Sequence, residues 1–147
     1  MVTYESEGTH MKKTATRFVT LVALILTAVS LTSCGVAVDA ALKAAVDDLN
    51  KNTPTMVDSD TRLDNAEAPG ERTLRYNYTL VNYAKADFTD EQIAEFESTL
   101  KPQMASQIKG SKDLEQLRSL DVIFQFHYSS NDGQDLFTVT ISPEDYK

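Results

Sequence analysis

At residues 122–142 the chain reads VIFQFHYSSNDGQDLFTVTIS. Val122, Phe124, Phe126 and Tyr128 alternate with Ile123, Gln125 and His127, which predicts a strand with one apolar face and one wetter face. SSNDGQ then supplies Asn131 and Gly133 for a tight reversal, and Phe137, Val139 and Ile141 return on one face. A hairpin alone cannot cover its apolar side, so the rest of the chain must supply the second layer.

Upstream, Leu74, Tyr76, Tyr78 and Leu80 alternate with Arg75, Asn77 and Thr79, the pattern of a half-buried antiparallel strand. The APGE stretch, Ala68 to Glu71, reads as its turn and Met56 to Leu63 as its weaker partner. Two helical segments flank this hairpin. In the first, Val36 to Leu49, Val38, Leu42, Ala45, Val46 and Leu49 share one face, and Pro54 follows its end. The second starts at a cap supplied by Asp87 or Thr89 and stops at Gly110, with Ile93, Phe96, Leu100, Met104 and Ile108 as its stripe. Pro102 should kink or split it, and SKDLEQLRSL after Gly110 predicts a short further helix. The expected fold class is α+β: helices packed on one face of a small antiparallel sheet built from two hairpins, in the order α-β-β-α-β-β.

Ahead of these elements, Phe18 to Leu31 carries no charge and follows Lys12, Lys13 and Arg17, the layout of an export signal and too short an apolar run to span a bilayer. It ends in Leu31-Thr32-Ser33-Cys34-Gly35, and Cys34 is the single cysteine of the chain. This segment resembles the lipobox of bacterial lipoprotein precursors. The resemblance implies a signal peptide at 11–33, cleavage before Cys34, and a diacylglycerol and an N-acyl group on that residue, with Leu31, Thr32, Ser33 and Gly35 read by the processing enzymes. It also implies a membrane partner reached through lipid, with Gly35, rather than Asp, after the cysteine favouring the outer membrane facing the periplasm over the inner membrane. Glu5 and Glu7 precede the basic region, so residues 1–10 read as an extension ahead of a start at Met11, and 34–147 as a single anchored domain.

The remaining chain is similar, in Asn50-Lys51, Pro54, Met56-Val57-Asp58 and Thr61-Arg62-Leu63-Asp64, to a group of small uncharacterised bacterial exported proteins. That likeness implies a shared fold and no activity, and the cysteine pair common in the group is missing here.

Chemistry is sparse. A net charge of −8 excludes nucleic acid as a natural partner. Asp58, Asp60 and Asp64 resemble the opening of a calcium loop, but Leu63 stands where that loop needs Gly and Pro69 where it needs Glu, so a solvated turn is expected and no metal site. His127 has no nucleophile elbow beside it and no second imidazole on the strands or helices, which leaves no expected catalytic residue and no cofactor. Tyr76, Tyr78 and Tyr128 are core residues by pattern, and a candidate protein-binding surface only if they face outward. The expected function is therefore that of a non-catalytic envelope lipoprotein that binds a protein partner, as an assembly factor, a pilotin-like chaperone, or an inhibitor or immunity protein. A small carboxylate-dependent envelope hydrolase is the alternative.

Overall fold

The computed structural model describes residues 35–147. Leu31, Thr32, Ser33 and Cys34, the rest of the signal segment 11–33, and residues 1–10 lie outside the described residues.

The first helix, α1 (Gly35–Leu49), buries Val38, Leu42 and Val46, one residue per turn, against the sheet. A 3₁₀ turn at Asn50–Asn52 ends it. The Asn50 side chain then donates to the Ala66 carbonyl at 2.9 Å and accepts from the Ala66 amide at 2.8 Å. One carboxamide thus occupies the backbone groups of a strand edge.

The expected strand at Met56–Leu63 is two strands. Asp58 Oδ1 accepts from the amides of Asp60 and Thr61 at 2.9 and 2.8 Å and reverses the chain, so β1 (Thr55–Met56) folds back on the start of β2 (Thr61–Gly70). β2 runs through the expected APGE turn and absorbs Pro69 in an irregular stretch between Glu67 and Gly70. The turn itself is Glu71–Arg72, at φ 54° and 56°, a two-residue loop whose backbone signs usually call for Asn or Gly. Tertiary contacts hold it instead. The Arg72 amide donates to Asp39 of α1 at 2.7 Å, its guanidinium donates to the Leu120 carbonyl at 3.2 Å, and its carbonyl accepts from Ile123 at 2.9 Å.

β3 (Thr73–Leu80) leads through a 3₁₀ turn at Lys85–Asp87 into α2 (Asp90–Gly110), and a short α3 (Glu115–Ser119) precedes β4 (Ile123–Ser130), β5 (Asp135–Ile141) and a terminal α4 (Pro143–Tyr146). Thr89 is the cap of α2: its hydroxyl accepts from the Gln92 amide and the Gln92 side chain accepts from the Thr89 amide. Asp87 instead accepts from the Ala84 amide at 2.7 Å. α2 passes Pro102 as one element; Pro102 and Ser98 are both exposed, so the carbonyl that loses its helical partner is open to water.

The five strands lie in chain order, and the class is α+β as expected. The sheet departs from the antiparallel expectation at its centre, where β3 and β4 are parallel, from Thr73 beside Ile123 to Leu80 beside Ser130. The reason is the return path: α2 carries the chain back along the sheet, so β4 starts at the same end as β3. Leu74, Tyr76, Tyr78, Phe124, Phe126, Tyr128, Val139 and Ile141 line the covered face. Their rings stack, Tyr76 on Phe126 at 5.7 Å, Tyr78 on Tyr128 at 5.2 Å and Tyr128 on Phe137 at 4.7 Å between centroids.

Candidate functional site

Tyr76, Tyr78 and Tyr128 are at most 4% exposed, so the candidate surface assigned to them is absent and the core reading holds. Burial alone pushes Tyr76 upward in pKa, and it dominates the rise at Tyr78 and Tyr128. The Tyr76 hydroxyl has no hydrogen-bond partner among the described residues. Tyr146, outside the expected elements, closes the core: its ring meets Phe124 edge-on and its hydroxyl donates to the Val122 carbonyl at 2.8 Å.

The other face of the sheet is open and polar, and its groups bind one another across strands. Arg75 bonds Gln125 at 2.9 Å and lies 3.9 Å from Glu67; Asn77 bonds Asn65 at 2.6 Å; the Thr79 hydroxyl donates to Asp64. His127 is held at both nitrogens, with Thr138 Oγ1 2.8 Å from Nδ1, and Asp135 Oδ1 and Ser129 Oγ 3.1 and 3.3 Å from Nε2. A hydrolytic triad needs serine and carboxylate on opposite nitrogens. Here both meet Nε2, so the carboxylate competes with the serine instead of orienting the ring.

The carboxylates of the calcium-like stretch have local work. Asp58 makes its turn, Asp60 accepts from Asn82 at 2.7 Å, and Asp64 accepts from Arg62 and Thr79. Among the described residues no group of three His, Cys, Asp or Glu side chains could hold a metal ion. Three aspartates depart from the ordinary range, all downward: Asp121 through its bond to Lys147, Asp132 through the Ser130 hydroxyl, and Asp145 through the Ser142 amide. A glycosidase-type general acid needs the reverse, a carboxyl raised by its surroundings.

The molecule has two distinct poles. Gly35 opens α1 beside Arg72: a Cβ on Gly35 would lie 3.9 Å from that guanidinium. At this pole Arg72 and Lys147 both reach Asp121, at 3.9 and 2.5 Å. The eight residues of β3 separate it from the opposite pole by roughly 23 Å. There the chain leaving β3 is pinned. The Val81 amide donates to Asp60 at 2.8 Å, the Tyr83 carbonyl accepts from Asn131 at 2.8 Å, and the Lys85 amide reaches Asp132 at 3.4 Å.

Beside this fixed backbone sits an aromatic group of which the sequence patterns singled out Phe96, as a core residue, and not Tyr83 or Phe88. Tyr83 and Phe88 have ring centroids 5.7 Å apart, and Phe88 and Phe96 6.1 Å apart. Phe96 belongs to the expected core stripe of α2, yet it is 43% exposed, and Tyr83 is 41% exposed. Between Asp90 and Ser98 only Ile93 is buried. A usable signal was the pair of rings at 83 and 88 in a connecting segment directly before an acidic helix start.

Among the described residues no helix is long and apolar enough to cross a membrane. No curated protein matches the chain in sequence. Solved structures that share the fold include PA3611 of Pseudomonas aeruginosa, described as a secreted protein, at TM-score 0.63 and 11% identity over 81% of this chain and 100% of that one. The type II secretion system pilotin AspS of Vibrio cholerae matches at TM-score 0.53 and 14% identity over 76% of this chain and 94% of its own. The pilotin EpsS of the Vibrio vulnificus type 2 secretion system matches at 0.57 and 5% identity, over 77% and 94%. At such identities the likeness is one of fold. By sequence, residues 37–137 match the family described as Domain of unknown function (DUF8479), and the chain belongs to that family.

Proposed function

We propose that the protein is a lipid-anchored module of the bacterial envelope that holds another envelope protein by surface contact and catalyses no reaction. The observation that carries this reading is the fold it shares with two type II secretion pilotins over 94% of their length. A pilotin-like part in assembling an envelope complex is the specific role we favour. The internally bonded polar face and the downward shifts of Asp121, Asp132 and Asp145 give the hydrolase alternative no support.

Anchoring rests on the lipobox-like Leu31-Thr32-Ser33-Cys34, which directly precedes the first residue of α1. One acyl chain binds a bilayer only marginally, whereas two or three hold a protein stably. With no linker between Cys34 and α1, the domain stands on the membrane by its Gly35 pole. Gly35 after the cysteine favours the outer membrane, facing the periplasm. The test is Cys34→Ser with fractionation of the cells: unprocessed precursor, or loss from the membrane fraction, is expected. Membrane-bound protein of unchanged size would overturn the anchor.

A further inference from the structure

Four large apolar side chains are exposed among the described residues: Val36, Met56, Tyr83 and Phe96. Val36 lies two residues after Cys34, where an anchored protein meets lipid, and Met56 lies on the short edge strand β1. Tyr83 and Phe96 have no such account. Phe88, half-buried against the core, joins them in one aromatic cluster, and contiguous apolar patches mark interaction sites where isolated exposed residues do not.

The surroundings of the patch restrict what can cover it. Asp87, Asp90, Glu91, Glu95 and Glu97 share its segment with a single cation, Lys85. Asp90 and Glu91 favour the helix dipole and Asp87 caps a turn, so those three have a structural role. Glu95 and Glu97 lie beyond the first turn, and among the described residues neither they nor Glu91 joins an ion pair. An acidic frame repels anionic lipid and also repels the same patch on a second copy of the chain. The patch is moreover at the pole opposite Gly35, so in an anchored protein it points away from the membrane.

We infer that Tyr83, Phe88 and Phe96 form the docking surface for an apolar segment of another envelope protein whose flanks carry Lys or Arg. This rests on the binding reading above and adds to it a surface and a partner chemistry. The pinned backbone of residues 81–88 suits the role, because rings already fixed lose little freedom when a partner arrives. Aromatic anchors within a charged rim are the usual carriers of binding energy.

The test is photo-crosslinking in living cells with the full-length lipoprotein carrying benzoylphenylalanine at position 83 or 96, or at 125 on the open sheet face as a control. The expected result is an adduct with one other envelope protein from 83 and 96 and none from 125. The crosslinked peptide should hold apolar residues flanked by Lys or Arg. Glu95→Lys/Glu97→Lys, two exposed changes beyond the first turn of α2 checked for folding by circular dichroism, should cut the adduct at least about tenfold. A self-adduct, a lipid adduct, an acidic partner segment, or an adduct indifferent to charge reversal would overturn the proposal. An adduct from 125 alone would overturn this surface and leave the binding reading standing, and no protein adduct from any position would remove both.

Discussion

The pole beside Gly35 and the pole beside Tyr83 are both tied at the backbone by tertiary hydrogen bonds and differ in whether any ring is left exposed. At the first, Arg72 is tied to Asp39 and Leu120, and Phe124, Val122, Ile141 and Tyr146 are all at most 2% exposed. At the second, Asp60, Asn131 and Asp132 hold the chain from Val81 to Lys85, yet Tyr83 and Phe96 stand about two-fifths exposed. A fold that can bury Phe124 completely at one end has the means to bury an aromatic ring. Exposure at the other end is therefore a property of where α2 starts, and it separates a pole closed by packing from the pole to which we assign contact.

The contrast between buried and exposed rings is sharpest in alkali. Tyr76, Tyr78 and Tyr128 are neutral in the fold, with their pKa values raised by burial, and Tyr146 is pushed up to about 12 mainly by the same cause. Their stabilising effect is fully present below the ordinary tyrosine value of 10.0 and is lost as pH rises above it. Tyrosinate absorbance of these residues should appear together with loss of the helical circular dichroism signal. Full ionisation of every tyrosine with the fold intact would break the account of the core.

Next in size, Phe124→Ala should destabilise the protein by about 3–5 kcal/mol in urea unfolding, because it empties a site closed by Tyr146. A loss under about 1 kcal/mol would mean that the Gly35 pole is not packed as described. Asp39→Ala should cost about 1–2 kcal/mol by releasing the Arg72 amide and the left-handed Glu71–Arg72 turn. The same change with the urea midpoint unmoved would show that the turn holds itself. Smallest, Phe96→Ala at the opposite pole should alter stability by no more than about 1 kcal/mol, as surface replacements do, while abolishing contact with a partner. A loss as large as that of Phe124→Ala would make Phe96 a core residue.

The final hairpin, the alternation of β3 and the start of α2 were legible because their signals are local: period-two apolar residues, Asn and Gly at a reversal, and a capping residue, Asp87 or Thr89, at an acidic first turn; that Thr89 is the cap shows only in its bonds to Gln92. The turn at Glu71–Arg72 was not, since neither residue favours positive φ and what fixes it comes from Asp39 and Leu120, far away in sequence. The start of β2 was misplaced for a related reason. Thr55–Met56 and Thr61–Leu63 read as one run unless the double acceptance by Asp58 is known. The parallel β3–β4 pair followed from the direction of α2, a tertiary matter. Phe96 shares the spacing of Ile93 and Leu100, and only the placement of α2 against the sheet exposes it.

The most direct measurement compares amide hydrogen exchange of the full-length protein in isolated native envelopes with that of the same protein purified in detergent. If the Tyr83 pole is the contact surface, exchange in residues 83–97 should slow at least about tenfold in envelopes, while residues 122–141 stay unchanged. Equal rates in both preparations at 83–97, or slowing confined to the open face of the sheet, would contradict the assignment of contact to that pole.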